Sequence, residues 1–389
     1  MNLEQLFQLR RMEGLPADDP TNNVQGLYAI IDKFFRPHFK IVEVGSFEGV
    51  STLLFSKFVD TVYSVDYYDY KVPETGRIPS HDQLFRDAEK IFIERTKDVK
   101  NIIKIRKKSM EAVKDFPDKS LDAVYIDAEH DEESVREDIR EWRKKIKFGG
   151  FLCGHDYTLP YVQGILKEEG FFNITTAPDS SWIVKIPTVS LVSVACTKVP
   201  ETIDAMRKCQ AQMEFNRSIL FTHEDIQFPG IEVIKIEKLD YKGYNEFVAM
   251  KMWQWIGTDY VLLCQNDGYI TDVSKWDDKF FDYDYIGAPW PIPNDETTYR
   301  SPSGKLRRVG NGGFSLRSRK ILRAPTVLGL EFTDNGSGFW HEDGFLCVHK
   351  GDILEDNGIR FAPIEIAAKF STELTVPETV ESFGKHKYL

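Results

Sequence analysis

The chain has 389 residues, 42% apolar and 29% charged, which excludes wholesale disorder and is long enough for two domains with cores of their own. Fifty Lys and Arg face 61 Asp and Glu, a net charge of −11; on the two sides of Pro187 the balance is 27 to 32 and 23 to 29. Two mildly acidic halves lack the electrostatic footprint of a nucleic-acid binder.

The opening MNLEQLFQLRRMEG is amphipathic, without the apolar centre or small-residue cleavage site of a secretory signal. No apolar run reaches the ~18 residues that would mark a membrane helix. Helical patterns over about 22–36, 51–58, 80–96, 131–146 and 160–169 alternate with the β-rich runs KIVEVG, TVYSVD, IIKIRK, LDAVYID and GFLCGHD. Such alternation predicts a parallel sheet with helices on both faces. FFNITTA and SWIVKIP predict an antiparallel hairpin at its edge. The pattern restarts at Pro187-Thr188: TVSLVSVAC is a strand, PETIDAMRKCQAQM a helix, RSILFTH and IEVIKIE strands, Gly243–Trp255 a helix and TDYVLLCQND a strand. After Asp267 the chain turns loop-rich. The expectation is an α/β protein of two domains, 1–187 and 188–389. Its cysteines, Cys153, Cys196, Cys209, Cys264 and Cys347, are scattered and form no CxxC, which fits a reducing, cytoplasmic compartment.

The run IVEVGSFEGVST sets Glu43 at a strand end, then Gly45 and Gly49, then Ser51-Thr52 at a helix start. The glycines let the backbone approach a ligand, and the helix N-terminus offers free N–H groups. Asp66 lies 21 residues beyond Gly45 at the end of the next strand, where an acid accepts ribose hydroxyls. GxGxxG is absent and position 47 is Phe, which disfavours a nicotinamide oxidoreductase. These residues resemble the class I S-adenosylmethionine-dependent methyltransferases, most of all the branch with an E-h-G-[ST]-x-x-G-x-S-T loop shared by catechol-type and small sugar O-methyltransferases. A second match, LDAVYIDAEHDEESVREDIREWRKKIKFGGFLCGHDY, extends the resemblance over about residues 20–186. It implies a Rossmann-like sheet with S-adenosylmethionine as cofactor. Glu43 would face the amino group, and Gly45, Ser46 and Gly49 would pack on methionine and ribose. Phe47 and Ser51 would line the same loop, and Asp66 would hold the ribose. Ser109 and Met110 would flank the adenine, and Asp127 would border the pocket.

Methyl transfer to a hydroxyl requires that its proton be removed or its pKa lowered. Asp127 ends the fourth strand, His130 follows it, and His155-Asp156 ends the fifth, so adjacent parallel strands would bring all four to one crevice. His130 is the expected base, with His155 as helper. Resemblance to metal-dependent members implies a divalent cation (Mg or Mn) on Asp127 and Asp156, although Tyr157 stands where the family often has another acid or Asn.

In the second half, DYVLLCQNDGYI, DYDYIGAPW, RRVGNGGFSLRSRK, GFWHEDGFL and FGKHKYL follow in that order. They resemble a domain family of unknown function assigned to the GT-A glycosyltransferases. That resemblance implies a nucleotide-sugar donor and a cation on a strand-end DxD, here Gln265-Asn266-Asp267, with His386 as a late ligand. Trp290 offers a face for a sugar ring or is a core aromatic. Gly310, Gly312 and Gly313 would let the chain pass close to donor or acceptor, or form a tight turn. Asn311 would donate hydrogen bonds, and Arg317 would meet phosphate or face solvent. Asp343 is the expected base of an inverting transfer, with Glu342 on the acceptor. The whole reads as a bifunctional enzyme of glycan biosynthesis that O-methylates a sugar and transfers one from a nucleotide sugar to a glycan. The alternative is a sugar O-methyltransferase whose C-terminal domain is a non-catalytic glycan-binding module.

Overall fold

Runs of β-branched and aromatic residues, punctuated by Gly, Pro and Asp, decide where the strands fall. The computed structural model describes residues 2–11, 19–69, 79–334, 341–373 and 381–386. Met12–Gly14 of the N-terminal run, Gly338–Trp340 of GFWHEDGFL and Lys387–Leu389 lie outside the described residues. The chain divides into two units, Met1–Ile186 and Pro187–Leu389.

Unit 1 runs α1 (Leu3–Phe7), α2 (Gln25–Phe34), β1 (Lys40–Val44), α3 (Val50–Phe55), β2 (Thr61–Val65), α4 (Pro79–Thr96), β3 (Ile102–Ile105), α5 (Ser109–Ala112), β4 (Leu121–Ile126), α6 (Glu132–Arg143), β5 (Ile146–Gly154), α7 (Pro160–Glu168), β6 (Thr175–Thr176) and β7 (Trp182–Lys185). Its sheet has the order β3-β2-β1-β4-β5-β7-β6. The first five strands of that order are mutually parallel; β7 is antiparallel to β5 and β6 to β7. The expected edge hairpin is therefore present. β1 and β4 are almost continuously buried, as central parallel strands covered on both faces are. Leu27, Ile30 and Ile31 of α2 and Leu53–Phe55 of α3 pack on Ile41, Ala123, Tyr125 and Phe151. Each such side chain contributes ~1.5–3 kcal/mol on burial. In α6, the Asp131 side chain caps the start by accepting from the Ser134 amide at 3.0 Å, acids fill the first turn, and Arg140 and Arg143 lie in the last.

Unit 2 runs β8 (Val189–Val194), α8 (Val199–Gln212), β9 (Arg217–Thr222), β10 (Glu232–Lys235), α9 (Tyr241–Glu246), β11 (Tyr260–Cys264), β12 (Gly268–Ile270), β13 (Tyr285–Gly287), β14 (Phe314–Ser318), α10 (Arg319–Val327), α11 (Glu342–Gly344), α12 (Gly351–Asp356), α13 (Ile364–Phe370), β15 (Ser371–Thr372) and β16 (Gly384–His386). The main sheet has the order β10-β9-β8-β11-β14-β13, parallel through β11 and antiparallel beyond it. A small sheet, β12-β16-β15, is built from the loop-rich region. The helix expected over 243–255 begins as α9 and continues as a π-helical turn, Phe247–Lys251, and a 3₁₀ turn, Met252–Trp255. No helix among the described residues is long and apolar enough to cross a membrane.

Candidate functional site

In unit 1 the strand order reverses between β1 and β4, and the crevice beyond their carboxyl ends is where ligands bind in open α/β sheets. β1 leaves the sheet at Gly45, with φ +86°. A Cβ there would lie 2.0 Å from the Asp127 carbonyl oxygen, so the position requires glycine both for its φ and for its packing. Phe47 and Gly49 continue the turn with φ 44° and 81°. The Asp66 carboxylate holds this loop: Oδ2 accepts from the Ser46 and Phe47 amides at 3.0 and 2.8 Å, and Oδ1 from the Tyr68 amide at 2.9 Å. Glu43 is fully buried beneath the loop and accepts from the Thr52 hydroxyl; burial pushes its carboxyl up to about 7. Ser51 is buried in α3. Arg95 of α4 braces the loop by donating to Glu48 at 2.7 Å. The Ser109 hydroxyl, expected at an adenine, donates to Asp138 and accepts from Trp142 Nε1 at 2.8 Å; Met110 beside it is half-buried.

The acids and histidines of β4 and β5 also converge. Ligand atoms of Asp127, His130 and Asp156 lie within 4.8 Å of one another. Asp156, in a left-handed turn with φ 61°, contacts His130 Nδ1 at 2.7 Å and His155 Nδ1 at 3.0 Å. The bond to Asp156 pushes His130 up to about 9, although the ring is 61% exposed. Burial opposes ionisation of Asp156, yet the two histidines hold it well below the usual carboxylate range. His130 thus carries a proton at neutral pH and is a poor base as it stands. His155 is buried, and its Nε2 has no hydrogen-bond partner among the described residues. Asp127 accepts from Arg11 Nη1 at 2.9 Å. Spacing within the motif gave no hint of Arg11, which lies 116 residues from Asp127. The three ligand atoms are close enough for a divalent cation, but the Arg11 guanidinium, which cannot give up its charge, already faces Asp127 Oδ2. As arranged, the donor set does not fit a metal.

In unit 2, β14 carries Arg317 inward. Expected at phosphate or solvent, Arg317 is fully buried and donates from Nη1 and Nη2 to the two oxygens of Glu342, each at 2.8 Å. Glu342, expected on the acceptor, is consumed by that pair. Asp343 beside it accepts from the Gly312 amide at 3.0 Å and from the Gly344 amide at 2.7 Å; burial pushes its carboxyl up. The glycines serve the chain's own side chains more than a passing substrate. A Cβ on Gly312 would lie 2.0 Å from Glu342 Oε1, and one on Gly313 would lie 1.9 Å from His386 Nε2. His386 lies between two acids, 3.4 Å from Asp267 Oδ1 and 3.7 Å from Glu373 Oε1. Neither ring nitrogen makes a hydrogen bond among the described residues. Burial opposes its charge, but the two acids outweigh it and raise its pKa. Buried Asn311 donates to Glu373, a residue the sequence had not singled out. Trp290 stacks on Tyr299, with ring centres 4.8 Å apart, and stays half-buried.

Residues 42–157 match a family described as a methyltransferase domain, and residues 231–387 match a protein family of unknown function, DUF5672. Among solved structures, fibrillarin of Aeropyrum pernix with natively bound S-adenosyl-L-methionine is 14% identical over 41% of this chain and 70% of its own, with TM-score 0.30. An S-adenosylmethionine-dependent O-methyltransferase of Thermotoga maritima is 14% identical over 38% of this chain and 50% of its own, with TM-score 0.29. The YcgJ protein of Bacillus subtilis is 18% identical over 34% and 50%, with TM-score 0.25, so this chain spans half the length of each of the last two. Among curated proteins, none matches. Unit 1 therefore contains a methyltransferase domain on a Rossmann-like sheet, and unit 2 is a second α/β domain.

Proposed function

We propose that unit 1 binds S-adenosylmethionine on the Gly45–Gly49 loop and methylates a sugar hydroxyl. The observation that carries this reading is the loop that follows β1, left-handed at three positions and closed on Asp66 at the carboxyl end of β2, inside the stretch that matches a methyltransferase family. S-adenosylmethionine supplies an electrophilic methyl group. The chain's part is to orient the acceptor and take its proton. His155 is better suited to this than His130: with its Nδ1–H given to Asp156, Nε2 is left as an acceptor. Calorimetry with S-adenosylmethionine tests the binding. Asp66→Ala should weaken it by at least ~10-fold, since a hydrogen bond to a charged group is worth ~1.5–3 kcal/mol. Unchanged affinity would remove Asp66 from the site.

A second reading concerns unit 2, which we infer to be a GT-A-like domain for a nucleotide sugar, giving a bifunctional enzyme of glycan biosynthesis. It is favoured by the strand order, parallel through β11 and antiparallel beyond, and by the gathering of Asp267, His386, Glu373, Asn311 and Asp343 after β11 and β14. Asp267 and His386 would hold a divalent cation, which neutralises a leaving diphosphate. Asp343 would take the acceptor's proton, and Trp290 would carry a sugar ring. Mass spectrometry of nucleotide sugars and glycans incubated with the chain tests this. Glycan binding without transfer or donor hydrolysis would leave the non-catalytic alternative.

A further inference from the structure

The N-terminal segment brings one cation into the unit 1 crevice. Arg11 is 12% exposed at its side chain and has several anchors besides Asp127. Its amide donates to the Asn22 carbonyl at 3.0 Å, and Nε donates to the Asn23 carbonyl at 3.0 Å. Nη2 lies 3.7 Å from Asp179, a carboxylate that is 1% exposed and is itself fixed by the amides of Leu27 and Ser181. The guanidinium also lies over the Tyr125 ring, 5.9 Å from its centre. These contacts hold the guanidinium in place whether or not Asp127 is charged. Nη1 then sits 2.9 Å from Asp127 Oδ2. A divalent ion bound to the same oxygen at ~2.1 Å would lie against a fixed positive charge.

We propose that Arg11 is the resident cation of the methyl-transfer crevice, a positioning residue that fixes Asp127 where a divalent ion would otherwise bind and frees the reaction from added metal. This rests on the methyl-transfer reading of unit 1. A guanidinium suits the role because its planar fork hydrogen-bonds a carboxylate and a carbonyl at once, lies in ion-pair range of a second carboxylate and never loses its proton.

The test uses Mn²⁺ and the full chain, followed by electron paramagnetic resonance. Wild type and Asp127→Asn should bind Mn²⁺ alike, because neither offers a site on Asp127; any site in unit 2 contributes equally to both. Arg11→Ala should gain a site at least ten-fold tighter than any the wild type shows in unit 1, and Arg11→Ala/Asp127→Asn should lose it. Mn²⁺ binding in wild type that Asp127→Asn abolishes would overturn the proposal. So would a folded Arg11→Ala that gains no site. Should Arg11→Ala not fold, the comparison of wild type with Asp127→Asn decides alone. Failure of the methyl-transfer reading would appear separately, as absence of S-adenosylmethionine binding by calorimetry.

Discussion

Both units place acids and histidines at the carboxyl ends of parallel strands, yet they treat positive charge in opposite ways. In unit 1, a guanidinium from a distant segment reaches an acid that is still 18% exposed, Asp127, and two histidines answer Asp156. In unit 2, the guanidinium of Arg317 is locked inside the sheet and spent on Glu342, while backbone amides hold Asp343 and His386 lies between Asp267 and Glu373. Similar side chains thus yield a crevice in which an arginine reaches the strand-end acid and a cluster in which backbone amides and a histidine do. What differs is where the arginine is anchored.

The largest test of that contrast is to remove each arginine. Arg317→Ala leaves Glu342 as a lone buried carboxylate, and breaking a buried pair costs ~3–5 kcal/mol. Denaturant unfolding should show this loss, and Arg317→Met/Glu342→Leu should recover most of it. Arg11→Ala should cost less, because water can reach Asp127 and two backbone amides still hold Asp179. Equal costs would erase the distinction.

The two loops sharpen the comparison further. Gly45→Ala drives a methyl group into backbone and forces a residue with a side chain to φ +86°, for an expected loss of ~2–4 kcal/mol. Gly313→Ala meets only a histidine ring, which can swing aside, so its cost should be ~1–2 kcal/mol. The expected outcome is a shifted His386 resonance in NMR and an unfolding midpoint lowered by only a few degrees, less than for Gly45→Ala.

Unit 1 should also respond to pH through two buried carboxyls. Burial raises the carboxyls of Asp138 and Glu43 to about 7 in the folded chain. The native state then binds more protons than the unfolded state between pH ~4 and 7, and stability falls as pH rises through that window. Asp138→Asn keeps a partner for Ser109 and removes one of the two titrations. Its melting temperature should exceed wild type by a few degrees at pH 8 (~1 kcal/mol corresponds to ~2–4 °C) and match it at pH 4. A constant difference at both pH values would reject the assignment. The smallest effect belongs to the Trp290–Tyr299 stack: Tyr299→Leu should cost ~0.5–1.5 kcal/mol in unfolding experiments.

Local rules carried the sequence reading a long way. The strand–helix alternation of unit 1 and its edge hairpin follow from hydrophobic period and turn residues, and the Asp131 cap stands where α6 begins. The helix over 243–255 was legible as helical, but its π turn was not, because nothing in the hydrophobic spacing distinguishes it. Side-chain partners were harder to read. Arg317 sits in FSLRSRK, a basic run that reads as exposed, while every residue of β14 is buried. Gly312 and Gly313 advertised space near the backbone, yet Glu342 and His386 fill it. Arg11 and Glu373 meet their partners, Asp127 and Asn311, across 116 and 62 residues, distances over which no motif spacing speaks.

The order of strands in the small sheet has a consequence for synthesis. β16 lies in the middle, pairing with β12 through Gly268–His386 and with β15 through Ser371–Gly384. The central strand is thus the last of the three to be made. Until residue 386 has left the ribosome, β12 and β15 have no neighbour, Gly313 has no ring over it, and Phe314 and Phe370 lack their contacts with Phe383. Unit 2 therefore completes its acid cluster only after translation of its final strand, whereas the parallel strands of unit 1 are all available for pairing once residue 154 has emerged. A nascent chain stalled between these two points should already bind S-adenosylmethionine, with the crevice of unit 2 still unmade.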